Sequence, residues 1–240
     1  MKAIILAAGR GSRMKSLTDE QPKCLVKVKD KTLLEWQLDA IIGAGIKDIA
    51  IVTGYKRELL TQFRLREFYN QQWSTTNMVS SLACAEEWLL DSPCIVSYSD
   101  IFYSSEAITS LINSNSILAV TYDPNWLQLW TNRFGDPLLD AETFRISSKN
   151  TLIEIGNKPK SIDEIEGQYM GLLKFTPLSW KEMQGIRSTL TSQQRDKMHM
   201  TGTLQKIIEE EKIQIEAIQY KGLWGEVDTS EDLLHYKFDF

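Results

Sequence analysis

Two histidines in 240 residues leave little material for imidazole chemistry. A serine or cysteine triad would have to rest on His199 or His235, and neither lies near a nucleophile motif. The same scarcity argues against a histidine-rich transition-metal centre. Cysteine is also sparse. Cys24, Cys84 and Cys94 are odd in number and scattered, with neither a disulfide framework nor zinc-type pairing, which points to a reducing cytoplasm. No apolar run approaches the roughly 20 residues of a membrane span. The apolar opening meets Gly9-Arg10-Gly11-Ser12-Arg13 too soon for most secretory signals. An excess of positive charge is missing too. The formal net charge of -5 argues against broad binding of nucleic acid or anionic lipid, yet leaves room for a small cationic site. With 42% hydrophobic and 25% charged residues, the chain can build a sizeable core, and a single domain over 1–240 is expected.

The pattern alternates. Short apolar runs rich in β-branched residues predict buried strands over 2–6, 48–53, 94–99, 117–122, 171–175 and 215–219. Helical spacing predicts helices over 32–45, 78–90, 106–113, 179–190, 203–211 and 230–236, the first opened by a Thr32-Leu33-Leu34-Glu35 capping box. Strands alternating with helices imply a doubly wound α/β fold with a mainly parallel sheet. Over 123–160 the alternation breaks into a Trp- and Pro-bearing stretch, so a small insertion spanning about 123–170 is expected to cover part of the site.

The first strand runs into Leu6-Ala7-Ala8-Gly9-Arg10-Gly11-Ser12-Arg13-Met14. Small residues let a backbone approach a ligand closely, successive N–H groups can cradle an anion, and Arg13 adds a bidentate donor. Pro22-Lys23 supplies a second cation behind a rigid turn. No Gly-Lys-Ser/Thr is present and the third glycine of the dinucleotide fingerprint is missing, so neither familiar phosphate loop applies. Taken alone, the segment could be a tight turn with two solvated cations. The full string, with Pro-Lys at this distance, resembles the signature of the nucleotidyltransferases that make NDP-sugars and CDP-alcohols. That resemblance implies that Gly9, Gly11 and Ser12 contact a nucleoside triphosphate, that Leu6, Ala7 and Ala8 lie beside the nucleoside, and that Arg13 and Lys23 neutralise the leaving pyrophosphate.

The resemblance extends along the chain. Asp100 follows a strand predicted to be central, and Gly225-Glu226-Val227-Asp228-Thr229 resembles the family's second acidic segment. Asp100 and Asp228 are thereby implied as Mg²⁺ carboxylates, although either could be a helix cap. Glu154 to Pro159 resembles the segment whose lysine grips the acceptor phosphate, which assigns that role to Lys158 unless it is a surface turn lysine. Thr75 to Leu82 resembles the base-reading segment of the choline-phosphate cytidylyltransferase branch, making Asn77 and Ser80 candidate cytosine or ribose contacts; Asn77 also suits a helix cap.

The insertion resembles bacterial phosphocholine cytidylyltransferases. Ser97 to Ile101 and Met198 to Thr201 resemble a subgroup that uses phosphorylated glutamine in a capsule phosphoramidate pathway, which implies cell-surface polysaccharide synthesis. Acceptor candidates are Trp126, Trp130, Arg133, Glu142, Lys158 and Tyr169. Trp126 and Trp130 stand one helical turn apart, which suits a quaternary amine or, equally, a buried helix face. Arg133 could meet a substrate carboxylate and Glu142 an ammonium, or the two could pair with each other. The implied reaction moves CMP from CTP to a small phosphorylated amine or amino acid, with Mg²⁺ as cofactor. The acceptor phosphate is already ionised, so no general base is needed and scarce histidine is no obstacle. A sugar-1-phosphate nucleotidyltransferase and a non-catalytic nucleotide-binding homologue remain the alternatives. Family members often pair, which leaves a homodimer open.

Overall fold

A computed structural model describes residues 1–236. Its largest element is a seven-stranded sheet built from β1 (Lys2–Ala7), β2 (Ile49–Thr53), β3 (Arg66–Tyr69), β4 (Cys94–Tyr98), β5 (Leu118–Asp123), β6 (Gln168–Phe175) and β7 (Glu216–Gln219). The spatial order is β7-β5-β6-β4-β1-β2-β3, and β6 alone runs antiparallel to its neighbours. Buried on both faces, the central strands read as the continuous apolar runs expected of such a sheet. Alternation then sorts them. Ile4, Leu6, Val52 and Val96 join one core with the helices Met78–Ala83, Glu86–Asp91, Pro177–Ser188 and Met200–Glu209. Ala3, Ile5, Ile51 and Ile95 join the opposite core with Leu33–Gly43, Ser105–Asn113 and Trp126–Phe134. The doubly wound fold read from the sequence is the fold observed.

The order places a ligand site. The chain leaves β1 toward β2 and β3 on one side and returns to β4 on the other, so the sheet has a topological switch between β1 and β4. Ligands bind at such a crevice, beyond the carboxyl ends of the strands. Because β1 and β4 are parallel with Leu6 opposite Tyr98, Ala8 and Asp100 both emerge two residues past that pair, at the same edge.

Several elements differ from expectation. The helix expected over 78–90 is interrupted at Cys84 and Ala85, with no glycine or proline to mark the break. Strand β3 and the helix Ser192–Lys197 had no apolar periodicity to announce them. The last helix narrows to Asp232–His235 within the expected 230–236. The insertion contributes the helix Trp126–Phe134 and an antiparallel ribbon, Phe144–Ile146 with Leu152–Ile155.

Candidate active site

At the carboxyl edge of β1 the chain turns through Gly11, whose φ of 71° is left-handed. A β-carbon there would lie 2.8 Å from Lys23 Cβ, so glycine is what lets the Lys23 stem pass the loop. Lys23 is thereby led inward to 7% side-chain exposure. Its Nζ donates to Asp100 Oδ2 at 2.9 Å and to Asp228 Oδ1 at 2.6 Å. Burial works against the ammonium, but the Asp100 and Asp228 carboxylates outweigh it and raise the pKa of Lys23. Arg13, far more exposed, donates to Asp228 Oδ1 at 2.7 Å.

Backbone pairing, not sequence proximity, gathers the acids. A short strand beyond Asp100, Ile101–Tyr103, pairs antiparallel with Trp224–Glu226, setting Glu226 opposite Ile101. The Val227 N–H donates to the Asp100 carbonyl at 2.9 Å, so Asp228 returns to the same place. Gly225 is required in this ladder, because a β-carbon would sit 2.5–2.6 Å from the Tyr236 and Phe102 rings. Asp100, Glu226 and Asp228 then offer carboxylate oxygens all within 4.8 Å of one another. Asp100 Oδ1 is buried with no hydrogen-bond partner. Desolvation first, and then the nearby Asp228 carboxylate, push Glu226 up to about 8. Asp228 goes the other way: burial would raise it, but Lys23 and Arg13 hold it below the ordinary aspartate value.

Two cavities flank this cluster. The first, about 300 Å³, runs from the glycine loop to the start of the Met78–Ala83 helix and is walled by Leu6, Ala8, Gly9, Gly11, Ser12, Arg13, Lys23, Trp73, Asn77, Ser81 and Asp100, among others. The second, about 250 Å³, is walled by Trp130, Asp140, Glu142, Gln168, Tyr169, His199, Thr201, Glu226 and Asp228, among others. They share Arg13, Met78 and Tyr98 as common wall. A bulge in β6 serves the second cavity: Gly171, at φ 76°, lies where a β-carbon would strike the Tyr98 ring at 2.8 Å, and the register shifts between Tyr169 and Leu173.

Most expected residues meet here, and several do not. Ala7 is buried beneath the loop and lines neither cavity. Ser80 turns away from the first cavity: its Oγ accepts from Arg187 at 3.1 Å and approaches Asp196 at 3.4 Å, and the next residue, Ser81, lines the wall instead. Asn77 lines the wall while also capping its helix, accepting from the Met78 N–H at 2.7 Å. Lys158 is exposed and forms no part of either wall.

Two acceptor assignments need correcting. Trp126 is 3% exposed and packs in the core with Trp130, because their helix lays that face on the sheet. Arg133 has no exposed side-chain surface. It grips Asp232 through Nε and Nη2 at 2.8 and 3.1 Å and Glu226 through Nη1 at 3.2 Å, so it meets neither a substrate carboxylate nor Glu142. Trp130, Glu142 and Tyr169 do line the second cavity. Sequence reasoning missed Glu226, Asp140, His199 and Thr201 as wall residues. Glu226 stands two residues before Asp228, the spacing that puts both on one side of an extended chain, so that signal was present.

A family model described as a MobA-like NTP transferase domain matches residues 3–149. The CTP:phosphoglutamine cytidylyltransferase of Campylobacter jejuni is 37% identical over 97% of this chain and 98% of its own. The choline-phosphate cytidylyltransferase of Streptococcus pneumoniae is 29% identical over 76% of this chain and 82% of its own. Among solved structures, the inositol-1-phosphate CTP transferase from T. maritima superposes with a TM-score of 0.78 at 16% identity, covering 98% of this chain and 93% of that one. At such identity the likeness is one of fold.

Proposed function

The chain belongs to the MobA-like NTP transferase family, and from that premise we propose that it is a cytidylyltransferase moving CMP from CTP to a small phosphorylated amine or amino acid, with Mg²⁺ as cofactor. One observation carries the reading: two cavities share a wall, and the carboxylate cluster with Lys23 and Arg13 lies where they meet. The Campylobacter jejuni relative, 37% identical over 97% of this chain, favours a phosphoglutamine-like acceptor.

In this reading the first cavity takes CTP, with its base toward Trp73, Asn77 and Ser81 and its phosphates along Gly9, Gly11 and Ser12. An acceptor phosphate oxygen from the second cavity attacks the α-phosphorus. A new P–O bond forms, the bond to the bridging oxygen breaks, and pyrophosphate leaves with that electron pair. The acceptor is already largely dianionic near neutral pH, so no proton need be removed. The difficulty lies in bringing anion to anion and holding them in line, which calls for cations and positioning. Arg13, on the common wall, is placed to neutralise charge on both sides. Lys23, in the wall of the first cavity, is placed to neutralise charge on the triphosphate. The oxygen-only donor set and the unpartnered Asp100 Oδ1 suit a hard cation such as Mg²⁺. Asp100 and Asp228, with Glu226 beside them, would hold that ion, which supplies charge neutralisation at the phosphates.

No helix among the described residues is long and apolar enough to cross a membrane. A cytoplasmic site of action, and a product destined for cell-surface polysaccharide, complete the proposal. The test is an acceptor panel with CTP and Mg²⁺, read by pyrophosphate release and by the mass of the CDP-linked product. Release with phosphoglutamine or phosphocholine is expected. Release only with a sugar-1-phosphate and another nucleotide would replace this reading.

A further inference from the structure

Trp130, in the wall of the second cavity, carries a buried donor that none of the described residues satisfies. The residue is 1% exposed, and its Nε1 has no hydrogen-bond partner. A buried N–H left unpaired is costly, so such a group points to a partner that arrives from outside the chain. The indole's π system is already engaged. The Arg133 guanidinium lies 4.7 Å from the ring centroid, and the Trp224 ring stacks at 24° with centroids 6.3 Å apart. Arg133 is fixed by its bidentate grip on Asp232. A substrate cation seeking the same ring would meet the repulsion of this one. Trp130 therefore has an N–H edge to offer and no free claim on a cation. Around it, Asp140 and Glu142 bring carboxyl groups to the cavity, and Tyr169 adds a buried hydroxyl beside Tyr98.

We infer that Trp130 is a specificity-determining residue that donates its Nε1–H to a carbonyl or carboxylate oxygen of the acceptor, selecting a phosphorylated amino acid over a phosphorylated quaternary amine. The carboxylates nearby suit the ammonium of such an acceptor, and the indole edge suits its oxygen. A trimethylammonium group has no oxygen to accept this N–H and would leave it buried and unpaired, the condition under which polar sites discriminate most strongly. This inference rests on the cytidylyl-transfer reading for its substrate class, but it can be tested apart from turnover.

The test replaces Trp130 with its benzothiophene isostere (Trp130→benzothienylalanine), which deletes the N–H and keeps ring volume, beside Trp130→Phe. Steady-state kinetics with CTP and Mg²⁺ should show the KM for phosphoglutamine raised about tenfold to a hundredfold in both variants, with kcat and the KM for CTP moved far less. Calorimetric binding of phosphoglutamine, which needs no turnover, should weaken by the same factor. Unchanged binding in the isostere overturns the role of Trp130, whatever the enzyme's nucleotide. Weakened binding without CMP transfer upholds that role and overturns the cytidylyltransferase reading instead.

Discussion

Arg133 holds Asp232 through its Nε–Nη2 edge, at 2.8 and 3.1 Å, and the Asp232 Oδ2 in turn accepts the backbone N–H groups of Asp228 and Thr229 at 2.8 Å each. The insertion helix and the last helix are thus clamped together, and the clamp sets where Asp228 lies. Removing Arg133 would leave buried carboxylates without their counter-charge. Arg133→Met should therefore cost about 3–5 kcal/mol of stability, the usual penalty for breaking a buried pair. A thermal melt lowered by roughly 6–20 °C is expected for a chain this size. A melt within a degree or two of the parent would show that the clamp bears no stability.

Lys23 is buried between Asp228 and the half-buried Asp100, so its replacement should affect more than turnover. Lys23→Met should cut turnover by orders of magnitude. Without metal it should also melt below the parent, because Asp100 would lose its ion-pair partner and face the Asp228 carboxylate with no ammonium between them. Adding Mg²⁺ should then raise its melting temperature more than it raises the parent's. Equal metal shifts in the two proteins would argue that Lys23 and the cation do not compete for the same oxygens.

Asp100→Asn and Asp228→Asn should each raise the Mg²⁺ concentration needed for half-maximal turnover. Because both act through one cluster, the double variant should lose less than the product of the two single losses. Independent, multiplying losses in a magnesium titration would rule out a shared ion.

Base choice should follow the wall around Asn77, Ser81 and Trp73. A site that hydrogen-bonds an exocyclic group rejects bases that leave it unpaired, so CTP should exceed UTP, ATP and GTP by about a hundredfold or more in kcat/KM. Comparable use of UTP or dTTP in the same assay would move the protein to the sugar branch.

The thiols provide a pH test away from the site. Burial pushes Cys24 and Cys94 up to about 12, whereas Cys84 is exposed. At pH 8 an alkylating reagent should label Cys84 alone in the folded protein and all three thiols after denaturation. Above the ordinary thiol value near 8.5 the unfolded chain releases these two protons while the folded chain keeps them. Stability should therefore fall as pH rises from about 8.5 toward 12. Labelling of Cys24 or Cys94 at the rate of Cys84 would contradict the buried placement.

The parts of this molecule that local pattern controls were legible in its sequence. The strands β1, β2 and β4 are apolar runs ended by polar or glycine signals, and the Thr32–Glu35 capping box forms as written. Arg13, Lys23, Asp100 and Asp228, each singled out by its motif, lie in one ion-paired cluster. What stayed hidden depends on which partner a side chain finds. Arg133 has the same local signature whether it faces a substrate or Asp232, and only the docking of two helices decides between them. Helical spacing likewise could not say whether Trp126 and Trp130 face a ligand or a sheet. They face the sheet, with Trp130 also reaching the cavity.

The common wall of Arg13, Met78 and Tyr98 has a kinetic consequence. Two cavities that meet at the same three residues favour direct transfer between substrates held at the same time, so initial-rate plots should intersect as for a ternary complex. The CDP-linked product would be long enough to occupy both cavities at once. It would then bind as a bisubstrate ligand, competing with nucleotide and acceptor alike, and its departure could limit the turnover rate.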